Sequence, residues 1–138
     1  MKPVLAFVLL IAAQPALADS LTVRVSGVKE AAGQIQIAVC DASFDIEGCP
    51  HGASRAAMPP GLDVLFPDLS PGRYAIAVYQ DVDGDGALNK NMLGLPTEPY
   101  GFSNDIGRFS PPVFSEALFD LNGDMTVEVT VKPLFGGG

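Results

Sequence analysis

Asp81, Asp83 and Asp85 stand at alternate positions in the run Asp81-Val82-Asp83-Gly84-Asp85-Gly86-Ala87-Leu88-Asn89. This is the ligand spacing of an EF-hand-type loop, with Gly86 where such a loop turns sharply, the Ala87 carbonyl where a backbone oxygen ligates, and Asn89 at the next oxygen position. Three carboxylates within five residues repel one another, and a bound cation relieves this. Hard oxygen donors on a flexible loop favour calcium over magnesium, whereas zinc would call for His or Cys. The pattern departs at its last position, where Met92 stands in place of a bidentate Glu, leaving Asn91 or Glu98 to complete the shell. Extracellular loops of this type hold calcium with dissociation constants of about 0.1 to 1 mM, so the expected role is structural, pinning a long loop to a strand end. The same residues also read as a solvated acidic turn, because Asp-Gly pairs turn readily.

A second candidate follows in Pro96-Thr97-Glu98-Pro99-Tyr100-Gly101-Phe102-Ser103-Asn104-Asp105. Tyr100, Phe102 and Asn104 offer two rings and an amide for a protein or carbohydrate partner; the alternative is a loop that packs its aromatics beneath itself. Asp120-Leu121-Asn122-Gly123-Asp124 echoes the acidic spacing but reads as a turn. His51 is the only histidine, which leaves little for a Ser-His-Asp site or a His-based metal centre. Paired carboxylates, such as Asp83 with Glu98 or Glu116, are the one catalytic alternative, a small acid/base hydrolase. No phosphate-cradling loop or nucleotide fingerprint is present. The leading expectation is therefore a non-enzymatic module.

The elements that must position these residues are strands. Leu21, Val23 and Val25 alternate with polar residues, as do Ile35, Ile37 and Val39, then Tyr74, Ile76 and Val78, and finally Met125, Val127, Val129 and Val131. Ala31-Ala32-Gly33 is short enough to close an antiparallel hairpin between the first two, and Asn122-Gly123 predicts another before the last. The turn at Asp68-Leu69-Ser70-Pro71-Gly72 joins two further strands. No apolar stripe sustains a helical period. The expectation is an all-β fold, an antiparallel immunoglobulin-like or prealbumin-like sandwich of about seven strands. Residues 41–60 and 82–112 lack strand patterning, and the second is too long for an idle connection.

The chain has 138 residues, 48% of them hydrophobic, with a formal charge of -8. Residues 1–18 account for much of the apolar excess. Lys2, the apolar stretch 4–13 and the small-x-small sequence Ala16-Leu17-Ala18 form a secretory signal peptide pattern with cleavage before Asp19, which predicts one domain over 19–138 and a periplasmic or secreted product. No other apolar run nears the ~18 residues of a membrane span. Seven basic residues then face sixteen acidic ones, which argues against nucleic acid as a partner. In an exported chain, Cys40 and Cys49 read as one disulfide, worth roughly 2 to 3 kcal/mol for a loop this short.

Three runs together carry a family resemblance: residues 77–89, the stretch Gly94-Leu95-Pro96-Thr97-Glu98-Pro99-Tyr100-Gly101-Phe102-Ser103-Asn104, and Pro112-Val113-Phe114-Ser115-Glu116-Ala117-Leu118-Phe119. They resemble the exported bacterial family known as domain of unknown function 2141. The resemblance implies export and a β-sandwich, and it supplies no reaction. Leu69-Ser70-Pro71-Gly72-Arg73-Tyr74 also resembles a turn-strand element of prealbumin-like sandwiches, which again speaks for topology and leaves function open.

Overall fold

The structure, a computed structural model, describes residues 18–90, 92–93 and 95–134. The predicted leader, apart from Ala18, and the candidate ligand Asn91 lie outside the described residues. Eight strands occur among those described: β1 (Asp19–Ser26), β2 (Gln34–Cys40), β3 (His51–Ala56), β4 (Gly61–Leu69), β5 (Gly72–Asp81), β6 (Tyr100–Phe102), β7 (Phe119–Leu121) and β8 (Met125–Thr130). A single helical turn, α1 (Phe114–Ala117), precedes β7. No helix among the described residues is long and apolar enough to cross a membrane.

The strands form two packed sheets. One has the order β4-β1-β8; the other runs β3-β2-β5, with β6 and β7 sharing the remaining edge of the long β5. Their inner faces are the apolar sets that the alternation marks: Leu21, Val23 and Val25 on β1 face Ile35, Ile37 and Val39 on β2 and Tyr74, Ile76 and Val78 on β5, with Leu69, Leu121 and Val129 closing the core. Each such side chain fully removed from water contributes roughly 1.5 to 3 kcal/mol. Pairing is antiparallel except between β1 and β8, which run parallel from Leu21↔Met125 to Ser26↔Thr130.

Both expected hairpins are corrected. β1 and β2 lie in different sheets, and so do β7 and β8, so residues 27–33 and 122–124 cross the sandwich instead of folding a strand back on its neighbour. The reason is general: period-two patterning states which face of a strand is buried, and a strand packed across the core shows the same pattern as one paired alongside. The first crossing is anchored from β5. The Gln80 amide donates to the Glu30 carbonyl at 3.0 Å and the Ala32 carbonyl at 2.8 Å, and Val28 N–H donates to Pro60 O at 3.1 Å.

Two strands fall where none is patterned. β3 is an edge strand, mostly exposed and with the sequence His-Gly-Ala-Ser-Arg-Ala, paired to β2 from Gln34↔Ala56 to Val39↔His51. An edge strand needs little apolar alternation because its ladder, not a buried face, holds it. Just past Val39↔His51, the Cys40–Cys49 disulfide ties off the connecting loop. β6 is the other, and its role belongs to the site.

Candidate cation site and the loop beside it

β5 delivers Asp81 at its end, on the face opposite the core-facing Gln80. The chain then turns through Gly84 and Gly86, both in the left-handed region with φ +72° and +80°, where a side chain would be strained. This winding brings Asp83 and Asp85 back over Asp81. The N–H of Asp85 donates to Asp81 Oδ1 and Asp83 Oδ1, both at 3.2 Å, and Gly86 N–H donates to Asp81 Oδ2 at 2.8 Å. Asn89 stands beside Asp83, its side-chain amide donating to Asp83 Oδ2. Ala87 meets the loop through its N–H, which donates to Asp85 Oδ1 at 3.0 Å.

Glu98 comes in from the far end of the loop. Its Oε2 accepts from Val82 N–H at 2.6 Å and its Oε1 from Asn89 N–H at 2.8 Å, so one carboxylate clamps both ends of the turn, and Thr97 N–H to Asn89 O at 2.8 Å adds to the clamp. One oxygen from each of Asp81, Asp83, Asp85 and Glu98 lies within 4.8 Å of the others. Asp81 is only 2% and Glu98 5% exposed, while Asp83 and Asp85 reach solvent. None of the three ion pairs among the described residues involves these four carboxylates. Glu98, which the sequence offers to complete the shell, is brought in, while Met92 projects fully into solvent.

The electrostatics follow from this crowding. The Asn89 amide, then the Asp85 N–H, hold the Asp83 carboxyl below the usual carboxylate range. At Asp85 the Ala87 N–H favours ionisation, but loss of water, the charge of Asp83 and side-chain hydrogen bonding with Asp83 and Asp81 outweigh it, so Asp85 is raised. Tyr79, two residues before Asp81, is raised first by burial and then by the negative charge of Asp81, Glu98 and Asp85. A cavity of about 450 Å³ lies alongside, lined by Gln80, Asp83, Asn89, Glu98, Lys29 and Glu30. Glu116 is not part of the cluster; it lies on α1.

The Tyr100-Gly101-Phe102-Ser103-Asn104 run seals the loop to the sandwich. β6 pairs with β5 through Tyr79↔Tyr100 and Ala77↔Phe102, and Tyr100 also bridges to Lys132 beyond β8, so this short strand joins the two sheets along one side. Gly101 is required there, because a Cβ would lie 2.2 Å from the Thr130 carbonyl oxygen. Tyr100, 5% exposed, donates its hydroxyl to Gly107 O at 2.9 Å, and the Arg108 guanidinium sits 5.6 Å from its ring centre while donating to Tyr100 O and Thr130 O. Where β6 ends, the buried Ser103 hydroxyl continues the ladder, accepting from Ile76 N–H at 2.9 Å and donating to Ala117 O at 2.6 Å. Asn104, with φ +60°, turns its amide onto the Glu116 and Leu118 carbonyls and so holds α1.

Of the three proposed ligand residues, Tyr100 and the half-buried Phe102 lie on the floor of a groove of about 730 Å³, whose walls include Phe44, Leu88, Leu95 and Phe109. Asn104 is not on the groove; its amide serves the fold. Phe44, from the disulfide loop, packs on Phe102 at 5.0 Å and Phe114 at 5.1 Å. Phe44 and Arg108, an isolated ring and an isolated guanidinium, have no spacing in the sequence to betray them; Ser103 lies within the Tyr100-Gly101-Phe102-Ser103-Asn104 run, but its type alone gives it no role. The Ser103 geometry has a measurable consequence. Ser103→Ala leaves an amide and a carbonyl unpaired in a buried place, and unfolding by denaturant is expected to show a loss of about 2 to 4 kcal/mol.

No curated protein and no solved structure matches the chain. One family does, described as uncharacterised proteins conserved in bacteria, over residues 23–129, a span that runs from the second half of β1 through most of β8 and takes in the acidic loop and the β6 motif. The chain belongs to this family, DUF2141.

Proposed function

We propose that the protein is an exported, non-enzymatic binding module in which a calcium ion holds residues 81–98, and the groove over Tyr100 and Phe102 takes a protein or carbohydrate partner. The observation that carries the calcium reading is Glu98: a nearly buried carboxylate, distant in sequence, joins Asp81, Asp83 and Asp85 within 4.8 Å, and no ion pair among the described residues involves any of the four. Four carboxylates suit a hard divalent ion of flexible coordination. Asn89 adds a fifth oxygen after a half-turn of its amide, and the Ala87 carbonyl adds a sixth. Export is supported by the Ala16-Leu17-Ala18 cleavage pattern and by the Cys40–Cys49 pair, which persists in an oxidising compartment. The groove reading is supported by an exposed apolar side chain in its lining, Phe109.

Isothermal titration of the mature protein with calcium tests the metal. Heat is expected at submillimolar to millimolar calcium; no heat and no change in melting temperature at millimolar calcium ends the proposal. A second reading, a carboxylate-dependent hydrolase, is favoured by one observation: Asp83, which lines the cavity, and its neighbour Asp85 are pushed in opposite directions, as a base and an acid would be. It requires turnover that survives a chelator and is lost in Asp85→Asn.

A further inference from the structure

The acidic loop lies at one end of the sandwich, and the opposite end is acidic too. There β1 starts at Asp19, β2 runs out into Asp41, β4 carries Asp68 next to its last residue, and Asp124 precedes β8. Asp124 Oδ1 accepts the Ser20 N–H at 2.8 Å, which draws this carboxylate onto the first residues of β1. Asp19 Oδ2 is shut off from water and has no hydrogen-bond partner, an unusual state for a carboxylate oxygen. Tyr74 stands nearby, its hydroxyl donating to Ser70 O at 2.6 Å; burial, then the charges of Asp41 and Asp19, hold its proton on. The basic groups nearest in sequence, Arg24 and Arg73, are paired with Asp63 and Asp120. None of the ion pairs among the described residues serves Asp19, Asp41, Asp68 or Asp124.

Asp19 is also the residue that follows Ala16-Leu17-Ala18. We infer that removal of the leader after Ala18 creates a structural cation: the new α-ammonium of Asp19 supplies the missing partner of Asp19 Oδ2 and pairs with Asp124. Backbone geometry keeps successive nitrogens within about 3.7 Å, so the α-nitrogen lies within about 6.5 Å of Asp124 Oδ1, close enough for a charge partner to act. Before cleavage the same nitrogen is a neutral amide with one proton; afterwards it is a cation with three. Processing thus completes the fold at this end. The inference rests on the export reading above, and its test separates the two.

The intact mass of protein recovered from the exported fraction gives the cleavage position. An uncleaved chain overturns both readings, and a cut elsewhere leaves export standing but overturns this one. On chains beginning at Asp19, reductive ¹³C-methylation labels the α-amine and three lysines, Lys29, Lys90 and Lys132, and NMR follows each through a pH titration. The α-amine is expected to titrate at least about one unit above its ordinary range of roughly 7.7 to 8.0, a tenfold tighter hold on the proton, and to fall back in Asp124→Asn. Because the folded value is raised, the associated stability is complete below the unfolded value and fades as pH rises through the folded one. An α-amine in the ordinary range, unmoved by Asp124→Asn, overturns the inference.

Discussion

Glu98→Gln is expected to remove the rise in melting temperature that calcium brings. Calcium at about a hundred times its dissociation constant stabilises a native state by about 2.7 kcal/mol, which for a domain of this size is a rise of roughly 10 °C. Glu98 is the test position because it does two things that can be told apart. Its two oxygens accept the N–H groups of Val82 and Asn89, and the same carboxylate faces Asp81, Asp83 and Asp85. Glutamine keeps the shape, but its NH₂ replaces one acceptor and meets an N–H, so a loss of about 1 to 3 kcal/mol is expected even without calcium. The calcium response disappears in addition. Asp83→Ala, at an exposed position, also abolishes the response while leaving metal-free stability close to unchanged, because it relieves repulsion as it removes a hydrogen-bond acceptor. If the rise survives both substitutions, the ion binds elsewhere.

Two optical signals accompany this result. Tyr79 titrates high because burial and three neighbouring carboxylates disfavour its phenolate, so calcium is expected to lower its pKa, seen as phenolate absorbance appearing at lower pH with calcium than with chelator. Terbium at the same site is expected to show luminescence sensitised by this ring. Calcium needs the carboxylates ionised, and Asp85 is the one raised above the usual range, so affinity should begin to fall on acidification as Asp85 takes up its proton, before Asp83 does.

Gly33→Ala is expected to be the most damaging added methyl group among the described glycines. Gly33 has φ +65°, where an L side chain costs about 1 to 2 kcal/mol, and a Cβ there would sit 1.8 Å from the Asp81 carbonyl oxygen and 2.8 Å from that of Val82. Backbone on both sides must move, in a segment that Gln80 and Ala57 also hold by hydrogen bonds. A loss of about 3 to 5 kcal/mol is expected in denaturant unfolding, with the calcium response lost as well because Asp81 is displaced. Gly84→Ala is the control: its φ of +72° imposes the same strain, but nothing lies within 4 Å of the added carbon, so it should cost about 1 to 2 kcal/mol. Equal effects at the two positions would mean that the β1–β2 crossing does not press on the end of β5.

Much of the architecture is legible along the chain. The alternation in β1, β2, β5 and β8 marks the inner faces because successive side chains on a strand point to opposite sides, a purely local property. The Asp81, Asp83 and Asp85 spacing is local in the same way, since five residues of turn bring three carboxylates together whatever surrounds them. The Cys40–Cys49 bridge, nine residues apart, is another short-range feature.

What depended on how distant segments meet was not legible. The turn residues Ala31-Ala32-Gly33 and Asn122-Gly123 suit a hairpin as well as a crossing between sheets, and only the packing of the whole core selects the crossing, which also leaves β8 parallel to β1. The β6 motif looks like a display of rings, yet Tyr100, Ser103 and Asn104 spend their polar atoms on Gly107, Ala117, Glu116 and Leu118, because a strand joining two sheets must satisfy backbone groups that neither sheet reaches. Residue type and spacing determined by themselves that this is a sandwich with an acidic loop. That Glu98 closes the loop, and that Asp19 faces carboxylates at the other end, was decided by tertiary structure alone, because charge acts through space and spacing along the chain does not record it.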